Sequence, residues 1–167
     1  WFRKAPKHAA PMLTSLADFF HPLDMVSKWN RIYGRPGFIQ YQFVVPDSGA
    51  DLVGQAIRAI AATGGTSFLT VLKRFGPGNG APMSFPIEGW TLALDIPARI
   101  DGLERVLDKL DEKVAEAGGL IYLSKDARLR PDLLAAMYPQ LAQWQETRRS
   151  LDPNGTFTSD LAIRLGI

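Results

Sequence analysis

Two glutamines alternate with apolar side chains in the stretch "GFIQYQFVVP", residues 37–46. In a β-strand, Gln40 and Gln42 share one face, and Tyr41 and Phe43 lie on the other. A buried carboxamide without a hydrogen-bond partner costs about 1–3 kcal/mol. The glutamine face is therefore either open to water or in contact with a polar ligand or a covering domain. Its near absence of charge favours a ligand pocket or a covering domain.

Two lysines end apolar, strand-like stretches. Lys73 closes "TSFLTVLK", and Lys125 closes "LIYLSK". We expect Lys73 at the edge of the glutamine face. For Lys125, the simpler interpretation is a surface lysine paired with Asp126. Residue types alone lead no further than a face that binds something polar.

Several chemistries are excluded by composition. The 167 residues include no cysteine, which rules out disulfides, thiolate catalysis and cysteine metal sites. His8 and His21 are too few for a multi-histidine metal site, and no Ser/His/Asp or paired-carboxylate arrangement stands out. The loop at residues 76–88 is rich in Gly and Pro. It has neither P-loop nor dinucleotide-binding spacing, so we reject nucleotide binding there.

Charge and hydropathy add little. The net charge of +2 is too small to indicate a nucleic-acid partner. The basic start "WFRKAPKH" reads as a solvated arm, with a contact to phosphate or an anionic membrane surface as the alternative. No apolar run approaches the roughly 18 residues of a membrane span. The chain starts with Trp, so we expect a processed product or part of a longer protein.

The elements that position these residues form two similar halves. "GFIQYQFVVP", a helix and "TGG-TSFLTVLK" parallel "GWTLALDIP", a second helix and "AGG-LIYLSK". The residues "DSGAD" are expected to supply caps for the first helix. The apolar stripe of the first helix consists of Leu52, Val53, Ala56, Ile57, Ile60 and Ala61. That of the second helix consists of Leu103, Val106, Leu107, Leu110 and Val114.

This order, βαββαβ, predicts an α+β fold of the ferredoxin-like, split βαβ type. It has an antiparallel sheet with helices on one face, followed by a helical C-terminal tail that is broken at Pro139. An RNA-recognition module shares the order, but the basic, aromatic face that it needs is missing.

The first and third strands are central neighbours in this plan. Aligning the halves on Pro46 and Pro97 puts Gln42 opposite Ala93 and Gln40 opposite Thr91. The helix-free face then carries Gln40, Gln42, Thr91 and Ala93, with Lys73 beside them.

Five segments together resemble the C-terminal part of a known family, the decaprenylphosphoryl-β-D-ribose 2′-oxidases. These are FAD-linked oxidoreductases of the vanillyl-alcohol-oxidase type. The resemblance runs nearly end to end, and its segments are: "FFHPLDMVSKWNRIYGRPGFIQYQFVVP", "VLKRFGPGNGAPMSFPIEGW", "SKDAR", "MYPQLAQW" and "RRSLDPNGTFTSDLAIRLGI".

The resemblance implies a domain organisation. Residues 1–120 correspond to part of a substrate-binding (cap) domain. Residues 121–167 correspond to a segment that packs on an FAD-binding domain, and that domain is missing from this chain. The chain by itself is therefore expected to be inactive.

The resemblance also implies site residues. Tyr122 and Lys125 match positions at the flavin and the active site, where a lysine stabilises negative charge on the flavin. Gln42 and Lys73 match residues that contact the substrate or its phosphate, and an ammonium is a compact donor to oxyanions. Other matching pocket positions are Gln40, Phe20, Leu23, Trp29 and Phe75.

Three of the matching positions differ from the mycobacterial members. Thr91 and Ala93 stand where those members have Asn and Cys, and Phe20 stands where they have Tyr. The cysteine is not needed for hydride transfer, so Ala93 leaves the reaction class intact. Thr91 shortens the polar reach into the pocket and leaves the sugar open.

The activity implied for the intact enzyme is oxidation of the C2′ hydroxyl of a polyprenyl-phosphoryl pentose by FAD in cell-wall biosynthesis. A short-chain-dehydrogenase-type epimerase is the implied partner. The implied location is the bacterial cytoplasm, with peripheral attachment at the inner membrane. Two alternatives stay open: an FAD-linked oxidase of another polyol or an aldonolactone, and a stand-alone ferredoxin-like binding module.

Overall fold

A computed structural model describes residues 13–21, 27–28, 31 and 34–167. The chain divides into two compact units, residues 1–35 and residues 36–167. In the first unit, a short helix α1 (Leu16–Phe20) begins at Ser15, whose hydroxyl accepts a hydrogen bond from the Asp18 amide at 3.0 Å.

The second unit contains a four-stranded antiparallel sheet in the order β2-β3-β1-β4. Its elements, in chain order, are these: β1 (Phe38–Val45), α2 (Asp51–Ala62), β2 (Thr70–Phe75), β3 (Gly89–Pro97), α3 (Leu103–Glu116), β4 (Leu120–Ile121), α4 (Pro131–Met137), α5 (Leu141–Leu151) and α6 (Asp160–Leu165). The predicted α+β fold is confirmed, with β1 and β3 as central neighbours and a helical C-terminal region.

The core lies between the sheet and its helices. Phe43, Leu92 and Ile96 are fully buried on the sheet, and Leu107 and Val114 of α3 are fully buried opposite them. The stripe predicted on α2 is only partly right. Leu52, Ala56 and Ile60 are buried, whereas Ile57 and Ala61 are exposed.

The start of α2 differs from expectation. No side chain caps this helix, whose N-cap residue is Ala50, directly after a 3-10 turn at Asp47–Gly49. The carboxylate of Asp47 binds the guanidinium of Arg74 on β2 at 2.5 Å instead. The expected capping role of "DSGAD" is therefore wrong, because Asp47 is used to tie the turn to the edge strand.

Two glycines let the neighbouring strands approach the end of β1. Gly89 starts β3 with φ 146°, and a Cβ atom there would lie 2.1 Å from the carbonyl oxygen of Val45. A Cβ atom on Gly119, just before β4, would lie 2.4 Å from the carbonyl oxygen of Val44. A larger residue at Gly89 would push β3 away from β1, and one at Gly119 would push the start of β4 away from β1.

None of the helices within the described ranges is both long and apolar enough to cross a membrane.

Candidate functional site

A small hydrogen-bonded group joins the two central strands on the predicted ligand face. The side-chain amide of Gln42 donates to the hydroxyl of Thr91 at 3.1 Å. That hydroxyl donates in turn to the carbonyl oxygen of Phe43 at 2.8 Å. Thr91 is 1% exposed, and Gln42 is half-buried. The glutamine amide thus has a protein partner.

The strand register fixes which side chains neighbour this group. Gln42 pairs with Ala93, as predicted. Thr91 pairs with Val44 on one side and with Lys73 on the other. Because paired residues in antiparallel strands point to the same face, Lys73 lies beside Thr91 at the edge of the sheet. Lys73 is exposed and forms no ion pair with any described residue.

The predicted pairing of Gln40 with Thr91 is wrong. Gln40 pairs with Asp95, which is 2% exposed. The numbering of antiparallel strands runs in opposite directions, so a pair between Gln42 and Ala93 requires Gln40 to lie opposite Asp95. Gln40 still shares a face with Gln42, one row further from the lysine.

Three aromatic rings cover the same face near the end of β1. The ring of Phe85 stacks on Tyr122 with 4.5 Å between centroids, and meets Phe75 edge-on at 5.9 Å. Phe85 is 6% exposed and comes from the long loop after β2. Phe85 was not predicted from the sequence. The signal for it was that no other aromatic residue occurs in residues 76–88, because a lone aromatic side chain in such a loop is often buried and anchors it.

Tyr122 and Lys125 follow β4 directly. The Tyr122 amide donates to the main-chain oxygen of Gln42 at 2.9 Å, which continues the pairing of β4 with β1. The Lys125 amide donates to the carbonyl oxygen of Tyr122 at 3.0 Å. The predicted strand "LIYLSK" is therefore too long: it ends at Ile121, and a 3-10 turn, Leu123–Lys125, carries the lysine.

Asp126 is not the partner of Lys125, so the simpler interpretation of that lysine is wrong. One Asp126 oxygen accepts from the guanidinium of Arg164 on α6 at 2.7 Å. The other accepts from the amides of Arg128 and Leu129 at 2.9 Å each. Within the described residues, the Lys125 ammonium forms no ion pair and can face an anionic group.

The structure describes only some of the remaining predicted site residues. Phe20 lies in α1, in the separate unit of residues 1–35, and its side chain is exposed. Leu23 and Trp29 lie outside the described residues. Phe75 and Ala93 are half-buried on the same face as Gln42.

A second polar group, not predicted, lies on the helix side of the sheet. The Tyr41 hydroxyl donates to Asp111 of α3 at 2.9 Å, and Arg128 donates to the other Asp111 oxygen at 2.8 Å and to Asp108. Burial raises the pKa of Asp111, against the lowering effect of Arg128. Burial and the nearby Asp111 carboxylate raise the pKa of Tyr41 well above its ordinary value. This group joins β1, α3 and the loop after Lys125.

A large cavity lies away from this face. It has a volume of about 450 Å³ and lies between α2 and the sheet edge, and its lining includes Trp90, Leu72 and Arg58. None of Gln42, Thr91, Tyr122 and Lys125 lines it. We assign the candidate site to the glutamine face, because it carries the Gln42 amide held by Thr91, an aromatic wall and Lys73, which forms no ion pair with a described residue, and because the turn with Lys125 follows Tyr122 at its border.

No protein-family model matches the chain. The chain is 46% identical over 165 residues to the decaprenylphosphoryl-β-D-ribose oxidase of Mycolicibacterium smegmatis. That match covers 99% of this chain and 35% of the oxidase. The resemblance to a decaprenylphosphoryl-β-D-ribose oxidase is confirmed.

A second relative extends the comparison. An uncharacterised protein from the mprA 5′ region of Streptomyces coelicolor is 43% identical over 166 residues. This match covers 99% of the chain and 44% of the relative. The chain thus spans less than half the length of either relative. Of the two, the decaprenylphosphoryl-β-D-ribose oxidase is the one whose name states a reaction class, oxidation.

Proposed function

We propose that this chain is the substrate-binding C-terminal part of an FAD-dependent oxidoreductase. Its reaction is oxidation of the C2′ hydroxyl of a polyprenyl-phosphoryl pentose. One observation carries the proposal. The Gln42 amide is held by Thr91 on the face that also carries Lys73, and the turn with Lys125 directly follows Tyr122, whose amide binds Gln42, in a chain 46% identical to a decaprenylphosphoryl-β-D-ribose oxidase.

The residues present fit a flavin at Lys125 and Tyr122. These two residues would lie beside the flavin, and FAD bound there would supply the hydride acceptor, which becomes more negative on reduction. Lys125 supplies a positive charge that no described carboxylate neutralises. The backbone hydrogen bond from Lys125 to Tyr122 and that from Tyr122 to Gln42 hold both residues in fixed positions relative to the sheet. Such preorganised charge is the most effective kind of electrostatic stabilisation.

The substrate end of the site is assigned to β1, β2 and β3. Gln42 contacts a sugar hydroxyl, and Lys73 contacts the phosphate. Phe75 and Phe85 provide an apolar wall that excludes water from the sugar. Gln40, Thr91 and Ala93 line the same face. Phe20, Leu23 and Trp29 are assigned to the pocket by resemblance.

Two protein partners belong to the proposal. The first is an FAD-binding domain of the same polypeptide, which packs on the C-terminal region. Large apolar side chains there, Leu151, Phe157 and Ile163, are more than two-thirds exposed, as expected for a surface that another domain covers. The second is a short-chain-dehydrogenase-type epimerase that reduces the keto sugar. We place the enzyme in the bacterial cytoplasm, peripherally at the inner membrane.

The sugar itself has a competing candidate. Where mycobacterial members have Asn, this chain has Thr91, and its hydroxyl is committed to Phe43 and Gln42. The pocket therefore has one polar group fewer to offer a sugar, and an aldonolactone or another polyol is the alternative substrate.

The test is an oxidation assay of the full-length flavoprotein with short-chain prenyl-phosphoryl ribose and with simple aldonolactones. Faster reduction of the flavin by the prenyl-phosphoryl ribose is the expected result. Preference for the lactone moves the assignment to the alternative substrate. If no flavin protein contains this chain, the stand-alone binding module is the better account.

A further inference from the structure

The hydroxyl of Thr91 has one hydrogen and two partners. It lies 2.8 Å from the carbonyl oxygen of Phe43, which can only accept, so the hydrogen is donated there. Toward Gln42, the same oxygen can therefore only accept. The group of Gln42 that faces it at 3.1 Å must be the NH₂ end of the carboxamide.

This arrangement decides which end of the Gln42 side chain a ligand meets. One N–H of the carboxamide is held by Thr91, so the nitrogen end is fixed on the protein side, and the amide oxygen, which accepts no hydrogen bond from the described residues, is left for a ligand. We infer that Thr91 is a positioning residue that locks the Gln42 carboxamide with its oxygen toward the ligand. Gln42 then accepts a hydrogen bond from a ligand hydroxyl through this oxygen.

The neighbouring lysine takes the complementary role. A phosphate only accepts hydrogen bonds, so it is bound by a donor such as Lys73, which pairs with Thr91 in the register. Adjacent strands are about 4.8 Å apart and each residue adds about 3.4 Å along a strand, so the backbones of Gln42 and Lys73, two strands and two residues apart, are about 12 Å from each other. A ligand with a donor hydroxyl and an anionic group separated by a pentose-sized unit fits this division. The identity of that ligand rests on the proposed function.

The lock can be tested on the chain itself, without ligand. Hydrogen exchange of the side-chain amides is measured by NMR for wild type, Thr91→Val and Thr91→Ser. The control within the same molecule is Gln143, an exposed glutamine on α5. We expect Gln42 to exchange about tenfold more slowly than Gln143, the effect of one hydrogen bond. Thr91→Val should abolish this difference, and Thr91→Ser should keep it.

Two outcomes overturn the inference. One is exchange of Gln42 at the rate of Gln143 in wild type, which decides the matter even if Thr91→Val does not fold. The other is unchanged slow exchange in a folded Thr91→Val variant.

A binding experiment on the full-length flavoprotein tests the role toward the ligand. Dissociation constants are compared for short-chain prenyl-phosphoryl ribose and its monodeoxy analogues. Wild type and Thr91→Ser should lose about tenfold in affinity for one deoxy analogue, and Thr91→Val should bind both compounds alike. Equal affinity of wild type for every deoxy analogue contradicts the acceptor role. If the parent compound does not bind at all, the proposed function fails. The amide exchange alone then tests whether Thr91 fixes the Gln42 carboxamide.

Discussion

Lys125 and Lys73 are the two positive charges on which the proposed chemistry depends. We expect Lys125→Ala to lower kcat of the intact flavoprotein by about 100-fold, the usual cost of removing a preorganised charge from a transition state. Lys73→Ala should mainly raise KM, because a phosphate contact is made in the ground state too. Steady-state kinetics measure both, with the exposed Lys109→Ala as control. Wild-type kcat in Lys125→Ala would refute the role assigned to that lysine.

Asp111 holds together the buried polar group on the helix side. Its two oxygens bind Tyr41 and Arg128, and its side chain is almost fully buried. We expect Asp111→Ala to lower the free energy of unfolding by about 3 kcal/mol, because the mostly buried guanidinium of Arg128 loses its buried partner and keeps only the partly exposed Asp108. Tyr41→Phe removes one hydroxyl and should cost about 1 kcal/mol. Urea unfolding followed by circular dichroism measures both, and equal costs would contradict this account.

The position of Asp111, but not its partners, could be foreseen from the sequence. It lies four residues after Leu107, on the stripe of α3 that packs on the sheet. An acidic residue at such a position signals a buried partner. That partner, Arg128, is 17 residues away beyond β4, and local periodicity carries no information on contacts between elements so far apart.

Gly89 and Gly37 occupy matching positions in the two halves of the chain, each before an aromatic residue at the start of a strand. Only Gly89 is in tight contact, since a Cβ atom there would meet the carbonyl oxygen of Val45, whereas one at Gly37 would meet nothing within 4 Å.

Gly89→Ala should therefore lower the free energy of unfolding by about 3 kcal/mol or more, through separation of β1 and β3. Gly37→Ala, at φ +74°, should cost only the backbone strain of about 1–2 kcal/mol. Thermal and urea unfolding of both variants give the comparison. Similar losses for the two would show that the clash at Gly89 is relieved at little cost.

The internal repeat predicted the elements well and their ends poorly. Similar halves imply a sheet with the first and third strands in the centre, and the structure has that order. The repeat also suggested a second strand of equal length in each half. β4, however, has only two residues, because the chain leaves the sheet after Ile121 and forms a 3-10 turn at Leu123–Lys125. An alignment of halves cannot reveal such a local difference, since it assumes that corresponding segments behave alike.

The chain as a whole is expected to lack a complete flavin site. It spans 35% of the oxidase that it resembles, and its candidate flavin contacts are limited to Tyr122 and Lys125. We predict that the purified chain, after incubation with FAD and gel filtration, shows no stoichiometric flavin absorbance.

The matched control for this prediction is the full-length protein, treated in the same way, which should retain FAD. A stoichiometric yellow complex of the 167-residue chain would contradict the division of the site between two domains.

The ion pair between Asp126 and Arg164 has a consequence for how the molecule responds to binding. Asp126 follows Lys125 directly, and Arg164 lies on the last helix, where it also holds the carbonyl oxygen of Leu129 at 2.6 Å. These two contacts of Arg164 therefore link the last helix to the loop that follows Lys125. We therefore expect a partner that docks on the exposed side of α6 to influence the loop next to Lys125 through this ion pair. Binding of a partner at α6 and the position of the Lys125 charge are thus expected to depend on the same ion pair between Asp126 and Arg164.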